Sequence, residues 1–532
     1  MFKVIALFTV LLFSAHIESA EYPSHVGKSP FSFDKINTPS NTFVVSDKGQ
    51  DNDVYLKRDD AKIFDLQFSL KIDRYVGDVS KLKENKLISD KFKISLPVFD
   101  VDNESALEDC DYDGELDTLA AEIDEVYFNG EKIGVLSGSN ELWSENTFEL
   151  DISKLNLPTS PGEVSENLVQ IRIDTGNEFV ELSSGAIGCQ KWAVEVDYVT
   201  LEYKVADPVL LAIGSLGDPA IFGDEQSKYE TRIKELGLPV KVIGHGKHAS
   251  TKSCVGRNAP SLIDHGNNIY QKAIEFATEL KTNKFNVIAH SKGGLDSRWF
   301  IDRLTKEKLL VQVGEMDNKV VRDTLLVNSL VTHSTPHYGT VLADAIDEGF
   351  YVGSIFSGLI KMNIDDICDL RTDTATEFTN SKRITDAIKF LAIGANIDAN
   401  NDGKISDEES LHNQLRTDVI DYSGSAYRLI RDVKEYVVKL RPGTGQWPTE
   451  GNAVYVPYVE AVPNISPEPN DSLVSISSAS PSDAMKVEKT VGNHATVLYG
   501  QSWHQVWTGA QDIVIDEAIV GMLKWSVGNE TH

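Results

Sequence analysis

The sequence predicts an all-β sandwich over residues 21–205, followed by an α/β domain over 206–532 with a mainly parallel sheet and helices on both faces. Three observations carry this reading. Apolar–polar alternation of period two, punctuated by turn signals, fills the first part. From Pro208 onward, continuous apolar strands alternate with helical segments. One of these strands, Asn286-Val-Ile-Ala289, runs into His290-Ser-Lys-Gly-Gly294 and then a helix-compatible stretch. That is the strand–turn–helix pattern of a nucleophile elbow.

Residues 1–20 read as a secretory signal: Lys3, an apolar run from Val4 to Phe13, then small and polar residues, with cleavage after Ser19 or Ala20. The run is too short to span a bilayer, and no later segment reaches the roughly 20 apolar residues a transmembrane helix needs. An exported protein is therefore expected. Export makes Cys110, Cys189, Cys254 and Cys368 candidate disulfide cysteines. Four cysteines allow three connectivities, and domain logic favours Cys110–Cys189 and Cys254–Cys368. The formal net charge of −30 argues against a nucleic-acid partner, which needs clustered Lys and Arg.

In the β half, the spans Phe92–Val98, Glu125–Phe128 ahead of Asn129-Gly130, Leu168–Ile173 and the long run Trp192–Tyr203 are expected strands. The carboxylate-dense stretches Asp100–Glu104 and Asp109–Gly114 suit either Ca²⁺ or a solvated acidic loop. This half shows no catalytic constellation and reads as an accessory module. In the second half, Val209–Ile213, Pro239–Ile243, Phe285–Ala289, Thr324–Asn328 and Ala453–Val456 are expected strands, and Ile269–Leu280 and Leu295–Leu304 expected helices. In such sheets the working site lies at the carboxyl ends of the strands.

Ser291 is the expected nucleophile. Ala289 and Gly293, two residues before and after it, meet the demand of a tight elbow for small neighbours. A serine hydroxyl needs a base to take its proton, and the base needs a carboxylate to orient it. An elbow of this kind is followed by the acid and then the histidine. Asp471, in Asn470-Asp-Ser-Leu-Val474, is the expected acid, and His494, in Gly492-Asn-His494, the expected base. Asp483, His504, His333 and His337 are weaker rivals, the last two out of order for the base. The oxyanion donors are expected to be the backbone N–H groups of Lys292 and of Ser215, in the loop Gly214-Ser-Leu-Gly217.

The stretch Asp398-Ala-Asn400-Asn-Asp402-Gly403-Lys404-Ile-Ser406-Asp-Glu-Glu409 matches an EF-hand loop. Asp398, Asn400, Asp402, Ser406 and bidentate Glu409 would supply side-chain oxygens and Lys404 its carbonyl, making Ca²⁺ the expected cofactor; no organic cofactor is indicated. Helical patterns are read on both sides, Ile384–Ile393 and from Asp407 onward. The loop falls in an expected insertion over about 341–445, where Phe350, Ile355, Phe356, Leu359 and Ile360 suit either a lipid-facing lid or a buried cap helix.

The motifs together resemble a known family. His290-Ser-Lys-Gly-Gly-Leu-Asp-Ser-Arg298 is similar to the elbow of secreted bacterial triacylglycerol lipases of the α/β-hydrolase fold. Ser334-Thr-Pro-His-Tyr-Gly339 resembles their loop after the next core strand, Asn470-Asp-Ser-Leu-Val-Ser475 their acid loop and Gly492-Asn-His494 their histidine loop. The resemblance spans roughly residues 207–510 and implies hydrolysis of lipid esters, with a lipid–water interface as one setting, by Ser291, Asp471 and His494. Two positions depart from the family pattern: Ile213-Gly214 where members usually carry His-Gly, and Ala495-Thr496 where they commonly place an acidic calcium ligand. The competing readings are a phospholipase, acyltransferase or polyester depolymerase with the same triad, and a non-catalytic calcium-dependent binding protein. Oligomeric state is not readable.

Overall fold

The computed structural model describes residues 42–46, 54–57, 65–101, 103–108, 114–119, 121–139, 141–173, 193–212, 214, 229–244, 260–316, 319–340, 343–344, 364–396, 474–491 and 511–527. The signal segment, Ser215, the loop 398–409, Asp471, His494, Cys110, Cys189 and Cys254 lie outside them, as does the expected strand at Ala453–Val456.

Between residues 42 and 204 the described strands pair antiparallel. One sheet runs Thr42–Ser46, Thr200–Lys204, Lys91–Phe99, Ala193–Val196, Val54–Lys57, with Trp143–Asp151 also on Lys91–Phe99. The other runs Asp65–Ile72, Ser165–Arg172, Glu125–Phe128, Glu131–Val135. Phe92, Ile94, Leu96 and Val98 of the first sheet and Phe68, Leu70, Val126, Phe128, Val169 and Ile171 of the second share one apolar cluster, with the Phe92 and Phe128 rings 5.1 Å apart. The Asn129-Gly130 turn has φ of 48° and 84°, the two left-handed residues of a type I′ hairpin. In the acidic stretch, Asp100 Oδ1 accepts the Glu141 N–H at 2.7 Å and Asn103 Oδ1 the Gly138 N–H at 2.6 Å, so both side chains staple loops.

The expected long strand Trp192–Tyr203 is broken. Residue 196 pairs with Val98 and Thr200 with Ser95, so three residues, 197–199, face two, Leu96 and Pro97. Proline has no N–H to give the ladder, and the extra residue is absorbed as a bulge at that point.

A six-stranded sheet follows in the order Val240–Ile243, Val209–Ala212, Lys284–His290, Leu326–His333, Lys389–Asn396, Lys486–Val491, every pairing parallel. Its four inner strands, Val209–Ala212 to Lys389–Asn396, are buried on both faces, as is usual for a parallel sheet. Leu211, Ile288, Val331, Leu391 and Ile393 lie in the cluster that includes Ile233 of helix Tyr229–Glu235 and Ile519 and Leu523 of helix Gln511–Val527. Leu210, Val287, Leu330 and Phe390 join the cluster with Phe276 of helix Pro260–Leu280 and Phe300 of helix Gly293–Glu307. No helix among the described residues is long and apolar enough to cross a membrane.

Two elements differ from the sequence reading. The helical pattern at Ile384–Ile393 is instead a loop and the strand Lys389–Asn396, so the expected 341–445 insertion contains a core strand. Phe390, Leu391, Ala392 and Ile393 are all apolar, and a run buried on both faces carries no period to separate strand from helix. Leu310–Met316 and Lys319–Thr324 also form an antiparallel hairpin ahead of the strand Leu326–His333.

The two halves meet at the amino ends of the parallel strands. Arg74 Nη2 donates to Asp207 Oδ1 at 3.2 Å, both side chains being buried. Burial pushes the Asp207 carboxyl up, against the pull of Arg74, Lys284 and Lys389. Removing one member of such a pair strands a buried charge at a cost of about 3–5 kcal/mol. Arg74→Met is therefore expected to lower stability in urea unfolding by that amount, and Arg74→Met with Asp207→Leu to recover most of it.

Candidate active site

The strand Lys284–His290 ends at the carboxyl edge of the sheet, and the helix Gly293–Glu307 begins three residues later. Ser291, between them, has φ of 56°. A non-glycine residue in the left-handed region costs about 1–3 kcal/mol and persists only where its surroundings over-determine it. Here they do: the Ser291 N–H donates to the His333 carbonyl at 2.9 Å, and the Ser291 carbonyl accepts from Gly294 at 3.1 Å. The side chain is 6% exposed.

Two close approaches explain small residues around it. A Cβ on Gly214 would lie 2.5 Å from Ser291 Cβ and 3.0 Å from its Oγ, so Gly214, just after the strand Val209–Ala212, lies directly against Ser291. A Cβ on Gly294 would lie 2.2 Å from Thr335 Oγ1, which packs the elbow helix on the 334–339 loop.

Lys292 adopts helical dihedrals, φ −54° and ψ −27°. Its carbonyl accepts from Leu295 and Asp296, and among the described residues nothing accepts its N–H. No described group therefore competes with a ligand for that donor. The second expected donor, Ser215, lies outside the described residues, but its neighbour Gly214 is in van der Waals reach of the serine.

The rivals within the described residues are accounted for. Asp483 Oδ1 and Oδ2 accept from the wholly buried Arg298 at 2.8 and 2.7 Å, and Oδ2 also accepts the Ile384 N–H at 2.8 Å. Burial alone would raise the Asp483 pKa, but its bonds to Arg298 reverse that and hold it below the ordinary value. His337 Nδ1 accepts from Arg298 Nε at 3.1 Å, so its proton sits on Nε2, facing Thr332 Oγ1 at 3.2 Å. Burial, and then Arg298, push its pKa well below 6.5. His333 is likewise buried, its ring against Tyr229 Oη. Asp483 and His337 are thus engaged by Arg298, and His333 by Tyr229.

The acid and base expected at Asp471 and His494 lie outside the described residues, but their chain neighbours are placed. The strand Lys486–Val491 ends three residues before His494. Val474, three residues after Asp471, is buried, and Ser475 caps the short helix Ile476–Ala479. That helix is tied to the 334–339 loop: Ser478 Oγ donates to the Gly339 carbonyl at 2.6 Å, and its carbonyl accepts the His337 N–H at 3.0 Å. The loop is tied in turn to the sheet by Ser334 N–H to the Ile393 carbonyl at 2.8 Å.

Among the described residues no group of three or more His, Cys, Asp or Glu side chains is placed to hold a metal ion. Cys368 is buried and is not a free thiol. The feature that sequence reasoning missed is the Lys292 side chain. It is 0% exposed, with Nζ 2.6 Å from Asp296 Oδ1 and 3.0 Å from His265 Nδ1.

Neither a protein-family model nor a curated protein matches the chain. Solved structures similar to it include Bacillus licheniformis lipase BlEst2 in mature form, at 16% identity and TM-score 0.36 over 57% of this chain and 92% of that one. Staphylococcus hyicus lipase shows 14% identity and TM-score 0.38 over 61% and 97%. Lipase 1 from Pelosinus fermentans shows 14% and 0.32 over 58% and 98%. Likeness at this level adds nothing to the geometry above.

The neutral His333 makes a pH prediction. Burial pushes its pKa from 6.5 down to about 3. The unfolded chain takes up a proton that the folded chain refuses, so this contribution is full above pH 6.5 and is lost as pH falls toward 3. The urea midpoint is expected to drop between pH 7 and pH 4.5, with about 2–3 kcal/mol from His333. His333→Gln should show a smaller drop over the same interval.

Proposed function

We propose that the protein is a secreted serine carboxylic ester hydrolase of the α/β-hydrolase fold, acting on triacylglycerol-type lipid esters. Ser291 is the nucleophile, His494 the base and Asp471 the acid that orients it. The observation that carries the reading is the left-handed Ser291 at the carboxyl end of a central parallel strand, directly before a helix. A strained serine in that position is the arrangement that presents a hydroxyl above a sheet.

Further support comes from the order of the remaining parts. Two parallel strands, Lys389–Asn396 and Lys486–Val491, lie beyond the neighbour of the elbow strand, and the candidate histidine follows the last of them. The hydrogen-bonded chain from Ile393 through the 334–339 loop to Ser478 holds the segment after Asp471 to the same edge of the sheet.

In the reaction, Ser291 Oγ attacks the ester carbonyl carbon while His494 takes its proton. The carbonyl π pair moves to oxygen, and the Lys292 and Ser215 N–H groups donate to that oxyanion. Collapse expels the alcohol, which takes the proton from the imidazolium, and leaves an acyl-serine. Water, deprotonated by the same imidazole, attacks the acyl carbon; collapse breaks the bond to Ser291 Oγ, which takes the proton back, and the carboxylic acid is released. Asp471 stabilises the imidazolium in both halves.

The wild type is expected to hydrolyse p-nitrophenyl esters, and Ser291→Ala to lose on the order of 10⁴–10⁶ in kcat. A chain-length series from acetyl to palmitoyl should rise toward long acyl chains; a maximum at acetyl would make the protein an esterase of soluble substrates. Absence of turnover on every ester would leave the binding-protein reading.

The loop 398–409 is proposed to bind Ca²⁺ through Asp398, Asn400, Asp402, Ser406, Glu409 and the Lys404 carbonyl. In sequence it begins two residues after the strand Lys389–Asn396 ends. Bound Ca²⁺ would rigidify the insertion and so support activity. EDTA is expected to lower the thermal midpoint and ester turnover together, and Ca²⁺ to restore both. Unchanged stability and turnover after chelation would remove the metal from the account. The disulfide proposed for Cys368 remains the one to Cys254.

A further inference from the structure

The chain buries a complete lysine side chain one residue from its nucleophile. Lys292 Nζ lies 2.6 Å from Asp296 Oδ1, 3.0 Å from His265 Nδ1, 3.7 Å from Asp366 Oδ1 and 3.9 Å from Asp369 Oδ2. Those partners come from three elements: His265 from the helix Pro260–Leu280, Asp296 from the elbow helix, and Asp366 and Asp369 from the helix Ile364–Asp369. Ser261 Oγ donates to both Asp366 and Asp369, and the Leu262 N–H donates to Asp369 Oδ2 at 2.8 Å, so the carboxylates are themselves held. All the side chains are buried.

Packing does not require this arrangement. Burying an ammonium costs several kcal/mol and is offset only by ideal, multiply bonded geometry. An aliphatic residue of similar length would fill the space without that cost. What the ammonium adds is direction. Burial alone would lower its pKa, but Asp296, Asp366 and Asp369 together reverse that and hold it above the ordinary lysine value. It is a fixed cation whose charge is met by its carboxylate partners, so it contributes orientation rather than charge to the site.

Lys292 is thus held at two points. Its carbonyl accepts from Leu295 at 2.9 Å and Asp296 at 3.1 Å, and its side chain is fixed in the cage. The remaining polar group is its N–H, which no described group accepts. With Cα, carbonyl and side chain all fixed, the direction of that N–H is fixed as well. We propose that the buried Lys292 ammonium is a positioning group: it anchors the elbow from below and so aims the Lys292 N–H at the oxyanion. This rests on the ester-hydrolase reading and assigns to the side chain a role distinct from that of its backbone.

The test compares an ester with the matching thionoester, whose developing anion sits on sulfur and is met poorly by donors aimed at oxygen. The ester-to-thionoester ratio of kcat/KM does not depend on how much of a preparation is folded, so a purely structural role would not move it. Lys292→Met is expected to lower kcat on the ester by about 10²-fold with KM within about twofold, the penalty of a misaligned catalytic group, and to shrink the ratio. Asp296→Asn keeps the size of the partner and loosens the anchor. It should move kcat and the ratio in the same direction by about tenfold, and it carries the test if Lys292→Met does not fold. A wild-type ratio and kcat in the folded variant would overturn the proposal while leaving the hydrolase intact. A wild type without ester turnover would instead sink the hydrolase reading and this inference with it.

Discussion

The backbone of Ser291 is the constraint on which the site depends. A serine at φ 56° does not stay there by its own preference. It is held by the ladder partner that takes its N–H, by the helix turn that begins at its carbonyl, and by the loop carrying Gly214, which leaves no room for a larger residue. The parallel sheet supplies this frame because its central strands are buried on both faces and cannot shift register without moving two cores. A hydroxyl is thereby presented at the edge of the sheet by a scaffold that is rigid where the chemistry would occur.

The polar groups below that edge serve the same end. Arg298 is wholly buried, bridges the elbow helix to Asp483 and the Lys382 carbonyl, and fixes the tautomer of His337. Lys292 and its carboxylates join three helices. Arg74 and Asp207 do the equivalent work at the opposite end of the sheet, where the β half abuts the parallel strands. Each arrangement is expensive to bury and expensive to break, so each favours one packing over its alternatives.

Legibility in the sequence followed the locality of the signal. The elbow was readable because strand, small residues and helix lie within a few positions of Ser291. The hairpin at Asn129-Gly130 was readable because the turn chemistry is a dipeptide. The break at 197–199 was not, since its cause, Pro97, is a hundred residues away in the partner strand. The strand Lys389–Asn396 carries a helix-like pattern in sequence because uniform burial erases the periodicity that separates the two. For Lys292 the sequence pointed to the backbone alone. Its side-chain partners, Asp366 and Asp369, follow a stretch with no motif and are brought to it only by the packing of helices.

The account stands or falls on whether Ser291 is an activated nucleophile. The most direct measurement is mass-spectrometric mapping of the full chain after treatment with a fluorophosphonate, which reacts only with a serine whose proton is being removed. The account predicts a single adduct, on Ser291, that does not form when His494 is replaced by alanine. An unlabelled Ser291 in folded protein, or labelling that persists without His494, would contradict it.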